Sequence, residues 1–258
     1  MVMISAGAAV RRPLQGVRNI IRFNWHFYVL ALWGMLTGWW IIREAPVFLQ
    51  VCGQGLIFLA MISTLLSLMV SWYIYDWSGL YELHWLEGID PGERMVNVHA
   101  GFDETSFRLQ QQYPQAVLAV FDFYDPRLHT EISIERARRV YRPFPGTQTI
   151  TTTAVPLETA SADTIWVLLA AHEIRHRGER IAFFQELCRC LKITGKIVVL
   201  EHLRDTPNCL AYNIGCLHFL SRSEWACTFS GAGLTVEEER KVTPFLSAFI
   251  LVKNGTTA

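Results

Sequence analysis

The 258-residue sequence has no net charge, because 23 Lys and Arg residues balance 23 Asp and Glu residues. A balanced chain has no global positive field to attract a polyanion, so nucleic acid is not an expected partner. The six cysteines form no CxxC pair, which excludes the common zinc-ligand spacings and predicts reduced thiols in a cytosolic domain. Internal repeats are missing as well, which excludes a repeat architecture.

Charged residues are absent from two long stretches, the 20 residues 23–42 and the 31 residues 45–75. A helix of ~20 residues crosses the ~30 Å hydrocarbon core of a bilayer. The short connection between the stretches contains Pro46, which suits the start of a second helix. We therefore predict an N-terminal two-helix transmembrane hairpin over residues 23–75.

A basic N-terminal segment, residues 1–22, precedes the first predicted span. Four arginines and no acidic residue lie close to that span: Arg11, Arg12, Arg18 and Arg22. Positive charge favours the cytoplasmic side, and a hairpin returns the chain to that side. We therefore expect a multi-pass protein of the inner (cytoplasmic) membrane, with both termini in the cytoplasm. A cleaved signal peptide and a pair of buried core helices remain as alternatives.

The stretch 76–94, DWSGLYELHWLEGIDPGER, is a juxtamembrane connector. It lines an entry between bilayer and soluble domain, or it only caps the domain that follows; the sequence leaves both open. From residue 95 onward, short apolar runs alternate with helical patterns. Strands are predicted at 95–100, 116–123, 147–155, 163–174, 196–203 and 245–253, and helices at 104–113, 127–142 and 181–191, with a helix-rich stretch at 207–232.

Alternation of strands and helices at this spacing predicts an α/β domain, residues 95–258, with a Rossmann-like, doubly wound, mostly parallel sheet. In such a sheet ligands bind at the carboxyl ends of the strands.

The stretch FFQELCRCLKITGKIVVLEHLRD (183–205) combines a helical pattern, a Gly-containing turn and an apolar strand. It resembles the helix, turn and fifth strand of the class I (Rossmann-like) S-adenosylmethionine-dependent methyltransferases. AVFDFYDPRLHTEISIERARR (119–139) is similar to their second strand, which has an acidic end. SADTIWVLLAAHEI (161–174) and FSGAGLTVEEER (229–240) resemble their fourth strand and the entry to their sixth. The resemblance implies seven strands, the last antiparallel, and S-adenosylmethionine as cofactor.

The first loop, VNVHAGFDETS, departs from that family's acid-x-Gly-x-Gly-x-Gly pattern. Asn97 stands at the acid position, while His99 and Asp103 replace the first and third glycines, and only Gly101 is retained. Asp103 or Glu104 could recognise the cofactor's amino group, and His99 could act on the substrate. Alternatively, His99 and Asp103 only satisfy loop backbone groups. The loop also lacks the spacing that cradles a pyrophosphate, which disfavours a dinucleotide-dependent oxidoreductase.

Asp122, at the end of the second strand, matches the family's ribose-binding acid. Asp125 is expected to cap a helix that starts near Pro126, and Thr151 to Thr153 stand where the family often has an adenine-binding acid or amide. The predicted cofactor-binding residues are His99, Ala100, Gly101, Asp103, Glu104, Asp122, Phe123 and Ala154.

Polar residues at the ends of the fourth and fifth strands are the catalytic candidates. His172 is the first candidate for a general base and His202 the second, with Glu201 beside them; histidine is suited to that role near neutral pH. Each histidine could instead simply pair with a neighbouring carboxylate. His99, His172, His202 and Glu201 could also converge on a metal ion, but nothing in their spacing demands it, and no metal is predicted.

The sequence thus predicts a membrane-anchored methyltransferase whose partners are the lipid bilayer and a lipophilic small-molecule acceptor. The alternative is a catalytically inactive methyltransferase-fold scaffold tethered to the membrane, which the degenerate first loop suggests. The acceptor, the atom methylated and the oligomeric state, a homo-oligomer included, stay open.

Overall fold

The computed structural model describes residues 11–255. Residues 1–10 of the predicted basic segment, and the last three residues of the predicted 95–258 domain, lie outside the described residues. Three helices come first: α1 (Gln15–Phe23), α2 (Trp25–Ile42) and α3 (Val47–Trp72).

Helices α2 and α3 contact each other as an antiparallel pair. A Cβ atom added to Gly53 would lie 2.8 Å from Ile42, and one added to Gly38 would lie 3.8 Å from Ile57, so small residues allow the close approach. In the described part of the chain one helical stretch, Val47–Glu82, is long and apolar enough to cross a membrane.

The first predicted span, α2, is long enough at 18 residues but is not apolar enough by the same measure. Its 18 residues carry no formal charge, but they include several amphipathic side chains. These are Trp25, His26, Tyr28, Trp33, Trp39 and Trp40. The helix pair is therefore found where the hairpin was expected, while the passage of both helices through a bilayer stays a prediction.

The connector after α3 packs onto the sheet. It continues α3 as a π-helical turn, Tyr73–Trp77, followed by 3-10 turns at Leu80–Glu82 and His84–Leu86. Four of its side chains are buried in the same apolar cluster as Met95 and Trp166: Leu80, Leu83, Leu86 and Ile89. The capping interpretation of residues 76–94 therefore describes most of this segment.

Seven strands form one sheet in the order β3-β2-β1-β4-β5-β7-β6. The strands are β1 (Arg94–His99), β2 (Val117–Asp122), β3 (Gln148–Thr149), β4 (Ala162–Leu168), β5 (Leu191–His202), β6 (Leu234–Thr243) and β7 (Leu246–Lys253). Strand β7 runs antiparallel to both β5 and β6, and the other pairs are parallel. The predicted α/β fold with a seven-stranded, mostly parallel sheet is thereby confirmed.

Five helices accompany the sheet: α4 (Ser106–Gln112), α5 (Ile132–Val140), α6 (Arg177–Cys190), α7 (Thr206–Tyr212) and α8 (Arg222–Gly231). Apolar clusters cover both faces of the sheet, as expected for a sheet with helices on either side.

Two predicted strands are shorter than expected. The stretch 147–155 forms only the two-residue strand β3. The predicted strand 163–174 ends at Leu168 because Leu169 adopts a left-handed backbone conformation with φ 54°. The chain then enters a 3-10 turn at Ala171–Glu173, which places these residues beyond the sheet edge.

The helix expected from residue 127 begins only at Ile132. The Asp125 carboxylate instead accepts the backbone N–H of Arg127 at 2.9 Å, in a turn that its own side chain closes. The prediction that Asp125 caps a helix at Pro126 was therefore wrong, because this local hydrogen bond competes with helix formation.

The prediction of six reduced cysteines was also wrong, because a disulfide joins Cys209 and Cys216. Helix α7 turns sharply at Asn213, where φ is 50°, into a 3-10 segment, Asn213–His218. That turn brings the two Cα atoms to 4.9 Å, a proximity that the spacing in sequence did not reveal.

Candidate functional site

A cavity of about 210 Å³ lies at the carboxyl ends of β1, β4 and β5. The strand order reverses between β1 and β4, and a doubly wound sheet binds its ligands at that reversal. His99, Leu169 and His202 contribute to the walls, and Phe23 of α1 covers the cavity from above. The cavity is therefore where the sequence placed a ligand site.

His99 ends β1 and is one of the residues that line this cavity. The Gly101 N–H donates to His99 Nδ1 at 3.0 Å, and burial lowers the pKa of His99. The ring is therefore neutral at pH 7, with its hydrogen on Nε2. Nε2 is buried and has no hydrogen-bond partner among the described residues. Such an unpaired donor in a cavity wall is suited to a ligand oxygen.

Asp122 ends β2 but does not face the open cavity. Its Oδ1 accepts the Tyr124 N–H at 2.9 Å, and its Oδ2 pairs with the Arg138 guanidinium. The same guanidinium covers Gly101, whose φ is +87° and whose missing Cβ would clash with it. Arg138 thus occupies the space beside the acid to which the resemblance assigned a ribose.

Asp103 and Asn97 build the junction between the first loop and α4. The Asp103 Oδ1 accepts the N–H groups of Thr105 and Ser106, both at 2.9 Å. The Asn97 amide donates to the Ser106 hydroxyl at 2.7 Å. The replacements at these two positions therefore satisfy loop and helix groups, which is one of the two alternatives that the sequence left open.

Glu104 ties the N-terminal segment to the loop. Its Oε1 accepts from Arg11 and its Oε2 from the Tyr81 hydroxyl, both at 2.8 Å. The Arg11 guanidinium also lies over the Tyr81 ring, 3.6 Å from its centre. Burial raises the pKa of Glu104, and the charge of Arg11 opposes that effect.

Helix α1 forms a roof over the cavity, which the sequence did not predict. The Asp76 carboxylate accepts the N–H groups of Gly16 and Val17 at 2.7 and 2.8 Å, which fixes the start of the helix. Phe23, near its other end, packs edge-on against Phe102 of the loop, with ring centres 5.8 Å apart. The available signal, arginines among apolar residues at 15–23, was assigned only to membrane orientation.

His172 lies between two buried carboxylates. Its Nδ1 is 2.7 Å from Glu201 and its Nε2 is 3.1 Å from Glu173. Burial alone would lower the pKa of His172, but the two carboxylates outweigh it and raise that pKa to about 10. The same pairing lowers the pKa of Glu173, against the effect of its burial. A histidine that stays protonated at pH 7 is a poor general base.

His218, which the sequence analysis did not select, completes a group of three potential metal ligands with His172 and Glu173. Their ligand atoms lie within 4.8 Å of one another. However, the Arg175 guanidinium contacts the His218 ring and already supplies positive charge there. His99, His202 and Glu201, which the sequence considered as ligands, are not part of this group.

His202 is held in one tautomer by a chain of hydrogen bonds. The Asn208 amide donates to Asp205 at 2.8 Å and to the Phe245 carbonyl at 3.0 Å, so its Oδ1 must accept from His202 Nδ1, 3.0 Å away. The lone pair of His202 Nε2 then accepts from the Tyr75 hydroxyl at 2.8 Å. Burial, together with the charge of His172, lowers the pKa of His202 to about 4.

Tyr75 is a site residue that sequence reasoning missed. It belongs to the π-helical turn that continues α3, and such turns are frequent at functional sites. From the sequence, it was placed only at the end of the second uncharged stretch, residues 45–75. No local pattern could pair it with His202, which is 127 positions away in the chain.

The structure divides the predicted site residues into two groups. Those that line the cavity are His99, Glu104, His172 and His202. Those that do not are Ala100, Gly101, Asp103, Asp122, Phe123, Ala154 and Glu201. Phe123 is a core residue that packs on Phe183 with ring centres 5.1 Å apart, and Ala154 lies in an exposed turn.

Comparison with known proteins gives similarity of fold. No family model and no curated protein matches the sequence. The pyocyanin biosynthetic protein PhzM has a TM-score of 0.51 at 13% identity, over 83% of this chain and 61% of that chain. Methyltransferases dependent on S-adenosylmethionine from Aquifex aeolicus and Methanosarcina mazei both have a TM-score of 0.48, at 16% and 12% identity. The aligned regions cover 68% and 64% of this chain, and 93% and 94% of the two methyltransferase chains.

These similarities concern the fold alone. The domain has a Rossmann-like fold, similar to that of PhzM. A fold of this kind hosts many chemistries, so the activity has to be argued from the site.

The residues present fit S-adenosylmethionine if Asp122 exchanges its partner Arg138 for the ribose of the cofactor. The unpaired Nε2–H of His99 suits the carboxylate of the methionine moiety. Asp122 suits a ribose diol once Arg138 has left it. The Arg138 side chain is 36% exposed, so a ribose at Asp122 would have to displace it towards solvent.

Proposed function

We propose that this chain is a membrane-anchored, S-adenosylmethionine-dependent methyltransferase that methylates a hydroxyl group of a lipophilic acceptor. The observation that carries the proposal is the neutral His202, which lines the cavity at the carboxyl end of β5 beside Tyr75, whose hydroxyl is 2.8 Å from Nε2. Base, cavity and fold coincide at the position where ligands bind in such sheets.

The cofactor supplies, when bound, a methyl group on a positively charged sulfur. His99 and Asp122 would hold it, at its carboxylate and its ribose respectively. His202 Nε2 would accept the hydroxyl proton of the acceptor while the acceptor oxygen takes the methyl group; the carbon–sulfur bond would break, with its electron pair left on the sulfur, which leaves as a neutral thioether. Asn208 keeps the other ring hydrogen on Nδ1, so Nε2 remains the basic atom. Otherwise the protein mainly aligns the two reactants.

Tyr75 and His172 act as positioning residues in this scheme. The Tyr75 hydroxyl holds Nε2 in place until an acceptor hydroxyl replaces it. The pair of His172 with Glu201 fixes the ends of β4 and β5 against each other, and the His172 charge keeps the pKa of His202 low. The geometry thus favours His202 over His172 as the base.

The membrane attachment is supported by the side chains of α2 and α3. Helix α2 buries none of its residues. Large apolar side chains on both helices are more than half exposed: Phe27, Leu30, Trp33, Val47, Phe48, Leu56 and Leu59. An apolar surface of this extent needs a cover, and the cover that fits two adjacent apolar helices is a bilayer.

Binding of S-adenosylhomocysteine to the full-length protein in detergent, measured by calorimetry, tests the proposal. We expect Asp122→Ala to weaken binding at least about tenfold, equivalent to ~1.4 kcal/mol, through loss of the ribose contact. The matched control is Asp125→Ala, because that carboxylate lies three residues away and pairs with Arg127. Absence of binding at millimolar ligand would refute the proposal, and equal affinities for the two variants would refute the ribose assignment.

The contact between Arg138 and Asp122 also favours a second candidate, the inactive scaffold tethered to a membrane. In that case the arginine permanently replaces the ribose. Binding by the unaltered protein separates the two candidates: an enzyme binds S-adenosylhomocysteine with Arg138 present, whereas a scaffold that is blocked by this arginine binds it only in the Arg138→Ala variant, which frees the acid.

A further inference from the structure

A second, larger cavity of about 700 Å³ lies between the N-terminal helices and the segment around α7. Its size is within the ~300–1,000 Å³ of ordinary ligand pockets. The facing surfaces of α2 and α3 contribute small side chains, among them Ala31, Ser63 and Ser67, which leave room between helices that otherwise contact each other. The lining is mainly apolar.

One end of this second cavity reaches the proposed catalytic base. Tyr75, His202 and Phe219 line both cavities, so the two spaces meet at the Tyr75–His202 hydrogen bond. Phe219 stacks on the His202 imidazole with ring centres 4.6 Å apart. A molecule lying in the second cavity can therefore place one polar end group beside Nε2.

The other end opens beside the apolar surface of the N-terminal helices. Phe27 and Ile214 line the cavity, yet they are 59% and 77% exposed. Leu210 and Leu217 flank Ile214 and are also mostly exposed. The Asn213 amide donates to the Ser63 hydroxyl and thereby holds this apolar segment against α3. The mouth is thus bordered by side chains that favour lipid over water.

From this arrangement we infer that the second cavity is a lateral channel for the acceptor. It takes a single-chain amphiphile from the bilayer, with the apolar chain between α2, α3 and residues 210–217 and a hydroxyl or phenol head at His202. The inference rests on the proposed function for the fate of the head group. The binding of the chain is a separate property, because it depends on the channel and not on the cofactor.

Photo-crosslinking in lipid nanodiscs tests the channel directly. The probe is a hexadecanol that carries a diazirine on its chain, added to the full-length protein, with labelled peptides identified by mass spectrometry. We expect labels on the channel-lining residues Ala31, Ser67 and Ile214. Ser67→Trp should fill the channel and reduce those labels at least about tenfold. Leu65→Trp is the matched control, because Leu65 is 54% exposed on the same helix and does not line the channel.

Two further measurements keep the outcomes distinct. S-adenosylhomocysteine affinity should be the same in Ser67→Trp and the unaltered protein; if that variant misfolds, Ala31→Trp on the opposite wall replaces it. Channel labels in a protein that binds no S-adenosylhomocysteine would uphold the channel and refute the methyltransferase. Labels confined to outward-facing residues such as Leu30 and Phe58, unchanged by the channel tryptophans, would overturn the inference.

Discussion

Replacing His172 by Gln should destabilise the fold strongly, because the change leaves two buried carboxylates without their cation. Glu201 and Glu173 are only 1% and 3% exposed. Removal of one partner from a buried ion pair costs about 3–5 kcal/mol. The rise in the pKa of His172 from 6.5 to about 10 corresponds to a pairing energy of similar size, about 5 kcal/mol at most.

For a chain of this length, 1 kcal/mol shifts the unfolding temperature by about 2–4 °C. We therefore expect the unfolding midpoint of His172→Gln in detergent at pH 7 to fall by about 10 °C. His84→Gln, at an exposed histidine outside the site, is the control and should change little. Adding Glu201→Gln to the His172 variant should restore most of the loss, because it removes one uncompensated charge.

The pH dependence has a definite sign. The folded-state pKa of His172 lies above its unfolded value, so its contribution is complete below pH ~6.5. That contribution is lost as the pH rises through about 10. The unaltered protein should therefore lose stability over this interval more steeply than His172→Gln does. Equal unfolding midpoints for the two proteins at pH 7 would refute the ion-pair role of His172. His172 would then again be a candidate for the general base.

Three further outcomes are expected. Arg138→Ala should strengthen S-adenosylhomocysteine binding about fivefold, since it removes a competing ion pair worth ~1 kcal/mol; weaker binding in calorimetry would show that Arg138 helps to hold the ligand. His202→Gln should lower methyl incorporation into membrane lipids about 100-fold or more, and an unchanged rate in this variant would contradict His202 as the base. Because burial lowers the pKa of His202 to about 4, the rate of the unaltered protein should hold down to about that pH. Asp76→Ala should speed hydrogen exchange at Gly16 and Val17 by about fivefold, the effect of losing a cap worth ~1 kcal/mol. Unchanged exchange would mean that other contacts hold α1.

The sheet was predictable because each strand carries its own signal. KIVVLEHL and FLSAFILVK are apolar runs long enough to be buried strands, and they became β5 and β7. The lengths of β3 and β4 were less predictable. Thr151 to Thr153 are β-branched, yet the chain turns there, and Leu169 ends β4 through a left-handed conformation that leucine rarely adopts. Residue type alone does not report such a backbone choice.

The loop VNVHAGFDETS could be located from sequence, but its roles could not be assigned. Asn97 and Asp103 serve helix α4, whereas Glu104 binds Arg11 from the other end of the chain. His99 alone keeps an unpaired buried nitrogen towards the cavity. These differences depend on which groups the folded chain brings near each side chain.

The sequence by itself determined the succession of strands and helices along the chain and the two uncharged stretches that became α2 and α3. It also determined that a ligand site should lie at the carboxyl ends of the strands. Those features follow from local periodicity, which a chain carries whatever its distant contacts are. Only the tertiary structure paired Tyr75 with His202, placed Arg138 on Asp122 and laid α1 over the cavity. Each of these contacts joins elements that are separate in sequence, and packing geometry alone decides which of them meet.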